Sequence, residues 1–588
     1  MHIKKIRIKN LLSYKDATFN FDRYNVIVGT NNSGKTNLIR ILEKIIENKD
    51  LSYIGLNQDS KFDKTLPTEI ALTLEFTNEE MKMVFQSIFG SEIKQTSFPD
   101  ELRIIDVVIN WEDTVKEEPH PNFISYRLHN GLTIISQDNK NIVFDSHLIF
   151  QNNEAEYQKM IDKYKHQNYA QFVKNIPHAY QLLENNVIGS DIKLFEACAK
   201  GESLEPYFKT DRKNFTRVLL AIEYNSENPT TAGSEVADYL DLNKQSTHRI
   251  KLSYLINMII TKNFVTIKEI HPSYVELVNR LVELRNIYYV DYEELQKVFR
   301  DLTNGIQLRV AKRTPQGQTS NDEFILLEDN NKMYSLQESA SGYYGLIHIL
   351  HSILNKPNCF IVIDEPEVHF HPILITQLNQ SLNKLALERN NQIIIISHSP
   401  KFVNYDLIDS AQYSKLISVI RTNDFSEVSS SSASFQPALK RHLFNPEVFF
   451  GKCSIIVEGS DDYFAMKAIS DYHNSLFEKY NITLTHCWGL GNVPAMIEIH
   501  NEFKIPFLAM VDSDYTSSMD NVVKLPQRLE EEYQKLGWSG SKIKDKAYPF
   551  MEELLKNDGL DKLKQTTLWS VFKQIITKVG GEIPKITS

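Results

Sequence analysis

The run Gly29-Thr-Asn-Asn-Ser-Gly-Lys-Thr36 has the residue types and spacing needed to hold phosphate. Gly29 and Gly34 let the backbone approach closely. Successive N–H groups through Asn32 and Ser33 can curl around a β-phosphate. Lys35 would neutralise β- and γ-oxygens, and the Thr36 hydroxyl would hold Mg2+. Far downstream stands a set of carboxylates, Glu458-Gly-Ser-Asp-Asp462 and Asp512-Ser-Asp514. Brought together, three or four carboxylates repel one another unless cations lie between them. Mg2+ favours few carboxylates, with waters and phosphate oxygens completing its shell. Two such ions would activate a water and stabilise a leaving 3′ oxygen. The two signatures together describe a nucleotide-switched protein joined to a metal-dependent centre for phosphodiester chemistry.

These residues need elements to position them. His2 to Lys9 alternates apolar and charged residues, as a half-buried strand does. Tyr24 to Val28 is a short apolar strand ending at Gly29, and helical spacing follows Thr36. Strand, loop and helix are the context a phosphate loop requires, with the helix N-terminus adding partial positive charge. Cys359 to Ile363 reads as a buried strand that runs into Asp364-Glu365-Pro366-Glu367. Asp364, expected at the end of a central strand beside the loop, would hold the Mg2+ water shell. Glu365 would polarise a water for attack on the γ-phosphate. Pro366 breaks the strand. Gln392 to Ile396 is another apolar strand, and His398 just after it could sense the γ-phosphate by hydrogen bonding. Ser339-Ala-Ser341-Gly342 opens a helix through Leu350 and makes a second anion cradle. That cradle makes sense if it serves the γ-phosphate of an opposite subunit in a dimer. In the C-terminal region, Cys453 to Val457 is a strand with Glu458 at its end. Asp461 to Ile469 reads as a helix with Asp461 or Asp462 in its first turn. Pro506 to Val511 is a strand ending in Asp512.

At 588 residues the chain is too long for one core, so about three domains are expected. A hydrophobic content of 42% and a charged content of 24% are ordinary for a globular protein. The net charge of −10 argues against a uniformly basic nucleic-acid coat, though not against a local basic groove. The four cysteines are scattered with no CxxC spacing, which argues against a disulfide framework or zinc site and fits a reducing cytoplasm. The basic start MHIKKIRIKN carries no apolar signal core. The run Leu252 to Ile260 is too short to span a membrane. A soluble, cytoplasmic protein with no membrane partner is expected. The stretch from about 145 to 300 has helical periodicity in Tyr157 to Tyr169 and Ser273 to Leu284 but no sustained heptad, and reads as an inserted helical arm. Ile306 to Lys312 and Glu323 to Leu327 return to strands. Ser426 to Ser434, with its serine run, reads as an exposed linker.

The phosphate loop, Ile363-Asp-Glu-Pro-Glu-Val-His-Phe-His-Pro372 and Ile396-Ser-His-Ser-Pro400 resemble the heads of ABC-type ATPases of the SMC and DNA-repair class, in their OLD-like branch. Glu458-Gly459 and Asp512-x-Asp514 resemble the glutamate and DxD motifs of a Toprim domain. The approach Glu447-Val-Phe-Phe-Gly-Lys-Cys-Ser-Ile-Ile-Val-Glu-Gly459, with Asp462 four residues after Glu458, is similar to OLD nucleases in particular. The fold class this implies is α/β: an ABC-type (SMC-like) ATPase head with a helical insert, followed by a Toprim domain. The implied domains are 1–145 and 301–430 for the ATPase, 146–300 for the insert and dimerisation arm, and 431–588 for the Toprim nuclease domain and C-terminal tail. By position, the resemblance makes Lys35 and Thr36 the phosphate and Mg2+ ligands and Asp364 the Walker B acid. Glu365 becomes the catalytic acid and His398 the switch histidine. The signature loop departs from LSGGQ: Gly342 stands for its second glycine, a tyrosine follows, and either Ser339 or Ser341 supplies the hydroxyl. Gln58 is the candidate Q-loop residue. The family's phosphate-holding basic residue falls among Lys542, Lys544 and Lys546, and Gly489-Leu-Gly-Asn492 lies at its glycine turn. The resemblance further implies ATP, Mg2+ or Mn2+, a homodimer or higher oligomer, and DNA as substrate. Through the Gabija nuclease subunit it implies action against phage or foreign DNA with a helicase-like partner. The alternative is a non-cleaving, DNA-sensing ATPase with a regulatory or vestigial Toprim domain. A topoisomerase would need an active tyrosine that nothing marks among the 27.

Overall fold

Some strands of this chain alternate apolar and polar residues, and others are apolar throughout. In the computed structural model the two kinds build different sheets. The model describes residues 1–47, 51, 60–89, 103–111, 123–128, 133–137, 141–145, 252–268, 272–313, 322–403, 413–422, 424–431, 445–513, 515, 519–525, 528–539, 546–557 and 559–584. Two compact units form, residues 1–20 with 39–264 and residues 21–38 with 265–588.

In the first unit, β1 (His2–Leu11), β2 (Tyr14–Asn20), β4 (Thr68–Glu75), β5 (Ile104–Trp111), β6 (Phe123–Leu128), β7 (Thr133–Gln137) and β8 (Asn141–Asp145) form one antiparallel sheet. Their order is β2-β1-β4-β5-β6-β7-β8. Ile70, Leu72 and Leu74 of β4 lie opposite Ile109, Val107 and Ile105 of β5, and all six are buried. The period of two thus puts one face of these strands into a core and leaves the other for polar residues.

The second unit holds a six-stranded sheet in the order β16-β15-β3-β14-β13-β9. Its strands are β3 (Tyr24–Val28), β9 (Phe264–Ile267), β13 (Phe360–Asp364), β14 (Gln392–Ile396), β15 (Ser414–Thr422) and β16 (Phe425–Ser430). The strands β15, β3, β14 and β13 run parallel. They are apolar because both faces are covered, so Ile393, Ile394, Ile395 and Ile396 are all buried. A hairpin of β10 (Gln307–Arg313) and β11 (Asp322–Asp329), extended by β12 (Lys332–Ser335), follows the helices Tyr274–Ile287 and Tyr289–Leu302. Further along, β17 (Cys453–Val457), β18 (Ile482–His486), β19 (Phe507–Val511) and β20 (Val522–Lys524) form a parallel sheet ordered β18-β17-β19-β20. The helix Ser460–Tyr472 connects β17 to β18, and Val493–Glu502 leads from β18 to β19 on the other side of β17. The connections therefore diverge at β17 and β19, the place where an open α/β sheet presents a crevice.

Three expectations are corrected. The inserted arm does not extend to residue 300. Beta strand β9 is an edge of the six-stranded sheet, and Leu277, Leu281, Leu295 and Phe299 share a core with Leu346 and Ile361. Helical periodicity alone does not distinguish an arm from a core helix. The part of the insert at 146–251, with Tyr157 to Tyr169, lies outside the described residues. Ser426 to Ser430 is not linker: it belongs to β16, paired antiparallel to β15. Serine is small enough to be buried in an edge strand, and the Ser426 hydroxyl donates to the Ser33 carbonyl at 2.5 Å. The C-terminal tail expected within 431–588 is folded into the core as well. The helix Thr567–Lys578 buries Leu568, Val571, Phe572, Ile575 and Ile576 in the core beneath β17. Among the described residues no helix is long and apolar enough to cross a membrane.

Candidate functional sites

The phosphate loop leaves β3 at Val28 and enters the helix Lys35–Glu47. Its backbone needs positive φ at three places: Gly29 (+149°), Asn32 (+61°) and Gly34 (+107°). Gly29 is also fixed by proximity, since a Cβ there would stand 2.0 Å from the Val419 carbonyl oxygen of β15. Lys35 is buried and its ammonium donates to the carbonyls of Gly29 at 2.8 Å and Thr30 at 2.9 Å. Burial lowers its pKa to about 8, against the opposing pull of Glu365, Asp364 and Glu367. The buried Ser33 hydroxyl has no hydrogen-bond partner. A cradle with a buried ammonium and an unanswered hydroxyl fits a phosphate group.

Asp364 ends the central strand β13, within electrostatic reach of Lys35. Strand β14 intervenes between β3 and β13, and it carries Ser397 and His398 at its own end. Loop, histidine and acid are thus delivered by three successive parallel strands to one sheet edge. Burial and then the charge of Glu365 push the Asp364 carboxyl up to about 6. Glu365 has φ of +50°, a conformation a side-chain-bearing residue adopts at a cost of about 1–3 kcal/mol. Its N–H donates to the Ile396 carbonyl at 2.8 Å, which holds it there. The Glu365 carboxylate faces the His398 ring, with Oε1 3.5 Å from Nε2. Burial, and then Lys35, lower the His398 pKa, which favours a neutral imidazole.

Glu367 was not singled out by the sequence, and it organises this edge. Its Oε1 accepts from the His398 N–H at 2.6 Å and the Ser397 hydroxyl at 2.9 Å. Burial raises its pKa. The only sequence signal was one more acid in an already acidic turn. Of the two signature serines, Ser339 donates its hydroxyl to the Leu336 carbonyl at 2.6 Å. Ser341 is exposed at the first position of the helix Ser341–Leu354. A Cβ on Gly342 would come 3.0 Å from the His369 carbonyl oxygen. The tyrosines that replace the usual signature residues are anchors. Tyr343 packs edge-on against Phe299 at 5.8 Å, and Tyr344 packs against Tyr274 at 6.4 Å. Gln58 lies outside the described residues.

The second site lies at the carboxyl edge of β17 and β19. Glu458 follows β17, Asp512 follows β19, and the strands are paired with Val457 opposite Met510. Both Asp461 and Asp462 fall in the first turn of the helix Ser460–Tyr472. Asp462 is buried, and its Oδ2 accepts from the Gly459 N–H at 2.8 Å. Burial pushes its pKa up to about 8, with the charges of Asp512, Glu458 and Asp461 adding to the effect. Asp512 Oδ1 accepts from the Leu529 N–H at 3.2 Å, heading the helix Leu529–Lys535. The buried Tyr533 of that helix donates to the Asp461 carbonyl at 3.0 Å. Among the described residues no three His, Cys, Asp or Glu side chains close on one point; Asp514, Lys542 and Lys544 lie outside them. The donors that are present are hard carboxylate oxygens whose mutual repulsion a divalent cation would relieve, so they fit Mg2+ or Mn2+. Lys546 is among the described residues. It precedes the helix Ala547–Lys556, whose Tyr548 donates to Asp471 at 2.9 Å. Asp471 stands nine residues beyond Asp462, about 13 Å along the helix.

A phosphate loop with an acid-ended and a histidine-ended strand in one parallel sheet defines a nucleotide-binding ATPase. The second sheet, with its edge carboxylates, defines a Toprim-type domain. The comparisons agree with both. The chain belongs to the AAA ATPase domain family, whose model matches residues 1–403, and a model of the overcoming lysogenization defect protein-like TOPRIM domain matches residues 449–514. It is therefore an OLD-family ATPase–Toprim protein, and such domains use ATP and divalent metal in general. It is 22% identical over 182 residues to the OLD nuclease of Thermus scotoductus, covering 30% of this chain and 34% of the relative. It is 35% identical over 82 residues to endonuclease GajA of Bacillus cereus, covering 14% of each. Protein ea59 of Escherichia phage lambda matches at 23% over 201 residues, 32% of this chain and 37% of the relative. The matches thus span little more than a third of the curated relatives, or less. The SMC head domain from Thermotoga maritima superimposes with a TM-score of 0.33 at 13% identity, covering 73% of this chain and 98% of that one.

Proposed function

We propose that this chain is a divalent-metal-dependent DNA endonuclease governed by nucleotide bound at its ATPase site. One observation carries the reading. Glu458, Asp462 and Asp512 stand at the carboxyl edge of the adjacent parallel strands β17 and β19, near enough that the charges of Asp512 and Glu458 add to the burial that raises the Asp462 pKa. Bound divalent cations would supply an activated water and stabilise the leaving 3′ oxygen. Glu458, Asp462, Asp512 and Asp514 would hold them. The Gly459 and Leu529 N–H groups fix the orientation of Asp462 and Asp512. Lys542, Lys544 or Lys546 would contact the scissile phosphate. The names of two relatives, OLD nuclease and endonuclease GajA, support a nuclease.

In the ATPase part, Gly29, Asn32, Ser33 and Gly34 would cradle the phosphates, and Lys35 would neutralise them. Thr36 and Asp364 would hold Mg2+, Glu365 would orient the attacking water, and His398 would report the γ-phosphate. Ser341 and Gly342 would serve the nucleotide of a second copy, which makes the working unit at least a dimer. The resemblance to OLD-like nucleases supports a cytoplasmic role against phage or foreign DNA, with a helicase-like partner.

The test uses supercoiled plasmid and linear DNA with Mg2+ or Mn2+, with and without ATP. Wild type should cleave, and Asp512→Ala should not. Lys35→Ala should lose ATP binding and ATP control. If wild type and Asp512→Ala are equally inert on every DNA, the nuclease reading fails and a DNA-sensing ATPase takes its place.

A further inference from the structure

The turn after β18 carries a tryptophan that the functional reading does not use. Trp488 has φ of +57°, a left-handed conformation that is an outlier for a bulky residue, and its residue is 66% exposed. The outlier is held by its neighbours. The Cys487 N–H donates to the Val457 carbonyl and the Gly489 N–H to the Glu458 carbonyl, both at 2.9 Å. The Asn492 side chain closes the turn on the Cys487 carbonyl, also at 2.9 Å. The indole rests edge-on against the His486 ring at 4.4 Å, and His486 packs on Tyr463 at 5.5 Å. Nothing lies within 4 Å of a Cβ placed on Gly489 or Gly491, so the space along the turn is open. A strained backbone that holds a large aromatic outward, pinned to the residue bearing a site carboxylate, calls for a functional account. The other three tryptophans, Trp111, Trp538 and Trp569, are buried or packed against other aromatic rings.

We infer that Trp488 is a stacking platform for a nucleobase of the strand whose phosphate lies at Glu458 and Asp512, making it a positioning residue that favours unpaired bases beside the cut. The inference rests on the nuclease reading for the identity of its ligand. Its test reads binding and needs no cleavage. A π-face accepts any base, so the contact should be tolerant of sequence. Full-length wild type, Trp488→Ala and Trp488→Phe are titrated with a single-stranded oligonucleotide, the same strand as a duplex, and a strand of abasic sites, with Ca2+ in place of Mg2+. Tryptophan emission should be quenched by the single strand in wild type. Trp488→Ala should bind it about 5- to 100-fold more weakly, Trp488→Phe should restore affinity without the quenching, and all three should bind the abasic strand alike. In cleavage, Trp488→Ala should raise KM more than it lowers kcat. Equal affinity of wild type and Trp488→Ala for the single strand overturns the inference and leaves the nuclease reading standing. So does a loss that is equal on the abasic strand, or a change in oligomeric mass without a change in DNA affinity. Weakened binding with no cleavage by wild type in Mg2+ or Mn2+ removes the nuclease reading and keeps the stacking contact.

Discussion

Glu367 offers a test of how the ATPase edge is built. The perturbation is Glu367→Ala beside Glu367→Gln. In the wild type the buried carboxylate accepts two hydrogen bonds, from the His398 N–H at 2.6 Å and the Ser397 hydroxyl at 2.9 Å. Alanine leaves both donors unanswered, at about 1–3 kcal/mol each. Against this stands relief of a carboxylate that burial already disfavours, as its raised pKa records. A net loss of about 2–3 kcal/mol is expected for alanine. Glutamine keeps an acceptor oxygen and removes the charge, so its loss should stay below about 1 kcal/mol. The functional consequence follows from position. Without Glu367 the Ser397–His398 turn is free to shift, and a displacement near 1 Å costs about 100-fold in turnover. Lys35 and its carbonyl partners are untouched. The assay is steady-state ATP hydrolysis with ATP affinity measured separately. Alanine should lower kcat 10- to 100-fold with little change in affinity, and glutamine should retain most of the activity. If glutamine is as dead as alanine, Glu367 is itself the group that activates water and the positioning argument is wrong. Wild-type stability and turnover in the alanine variant would sink it altogether.

Three further outcomes follow. Gly29→Ala should cost about 100-fold in ATP affinity, because its Cβ meets the Val419 carbonyl oxygen at 2.0 Å. Gly305→Ala, with φ of +107° but nothing within 4 Å, should leave affinity unchanged, and equal effects in isothermal titration would refute the close-approach account. Asp512→Asn should stop DNA cleavage while keeping the acceptor for the Leu529 N–H, so its urea midpoint should exceed that of Asp512→Ala. Buried His500 and His351 are each held down to about 4, by desolvation and, for His351, next by Arg280. A base depressed in the folded state is protonated first in the unfolded chain, near 6.5. Stability is therefore whole above pH 6.5 and falls as pH drops toward 4, by about 3 kcal/mol per histidine. Urea midpoints across that range should show the loss, and His500→Gln should remove about half of it.

Much of the chemistry could be read from the chain because its strands are apolar runs that stop at a functional residue. A parallel strand covered on both faces must be apolar along its length, and the residue after it lies at the carboxyl edge. Val28 before Gly29, Ile363 before Asp364, Ile396 before the Ser397–His398 turn, Val457 before Glu458 and Val511 before Asp512 all follow that rule. What was not legible depends on pairing between distant segments. Nothing local to Gln392–Ile396 says that it lies between β3 and β13. Nothing local to Phe264–Ile267 says that it pairs beside β13, so the helices after it were read as an arm. The serines of β16 carry little apolar signal because the strand is an edge, and the burial of Ser426 depends on Ser33 almost 400 residues earlier. Glu367 reads as one acid of three until the chain returns with Ser397 and His398.

The placement of the Ser397–His398 turn bears on how nucleotide could govern the carboxylates. His398 is followed, after Ser399, by the single turn Pro400–Phe402, and Phe402 is fully buried. Its apolar cluster continues through Val448 and Phe449 to Ile456 of β17, two residues before Glu458. Phe449 in turn packs edge-on against Phe503 at 4.9 Å, at the end of the helix that leads into β19 and Asp512. A close-packed interior has no slack to absorb a shift of one side chain, so neighbours must move or resist. Under the proposed function, a γ-phosphate that repositions His398 therefore acts on the strands that hold Glu458 and Asp512 through packed side chains. Two modules joined by an exposed serine linker would have had no such route. With β16 folded into the ATPase sheet and Lys504 paired to Glu427 across 2.7 Å, the second unit binds the nucleotide edge and the carboxylate edge to one core.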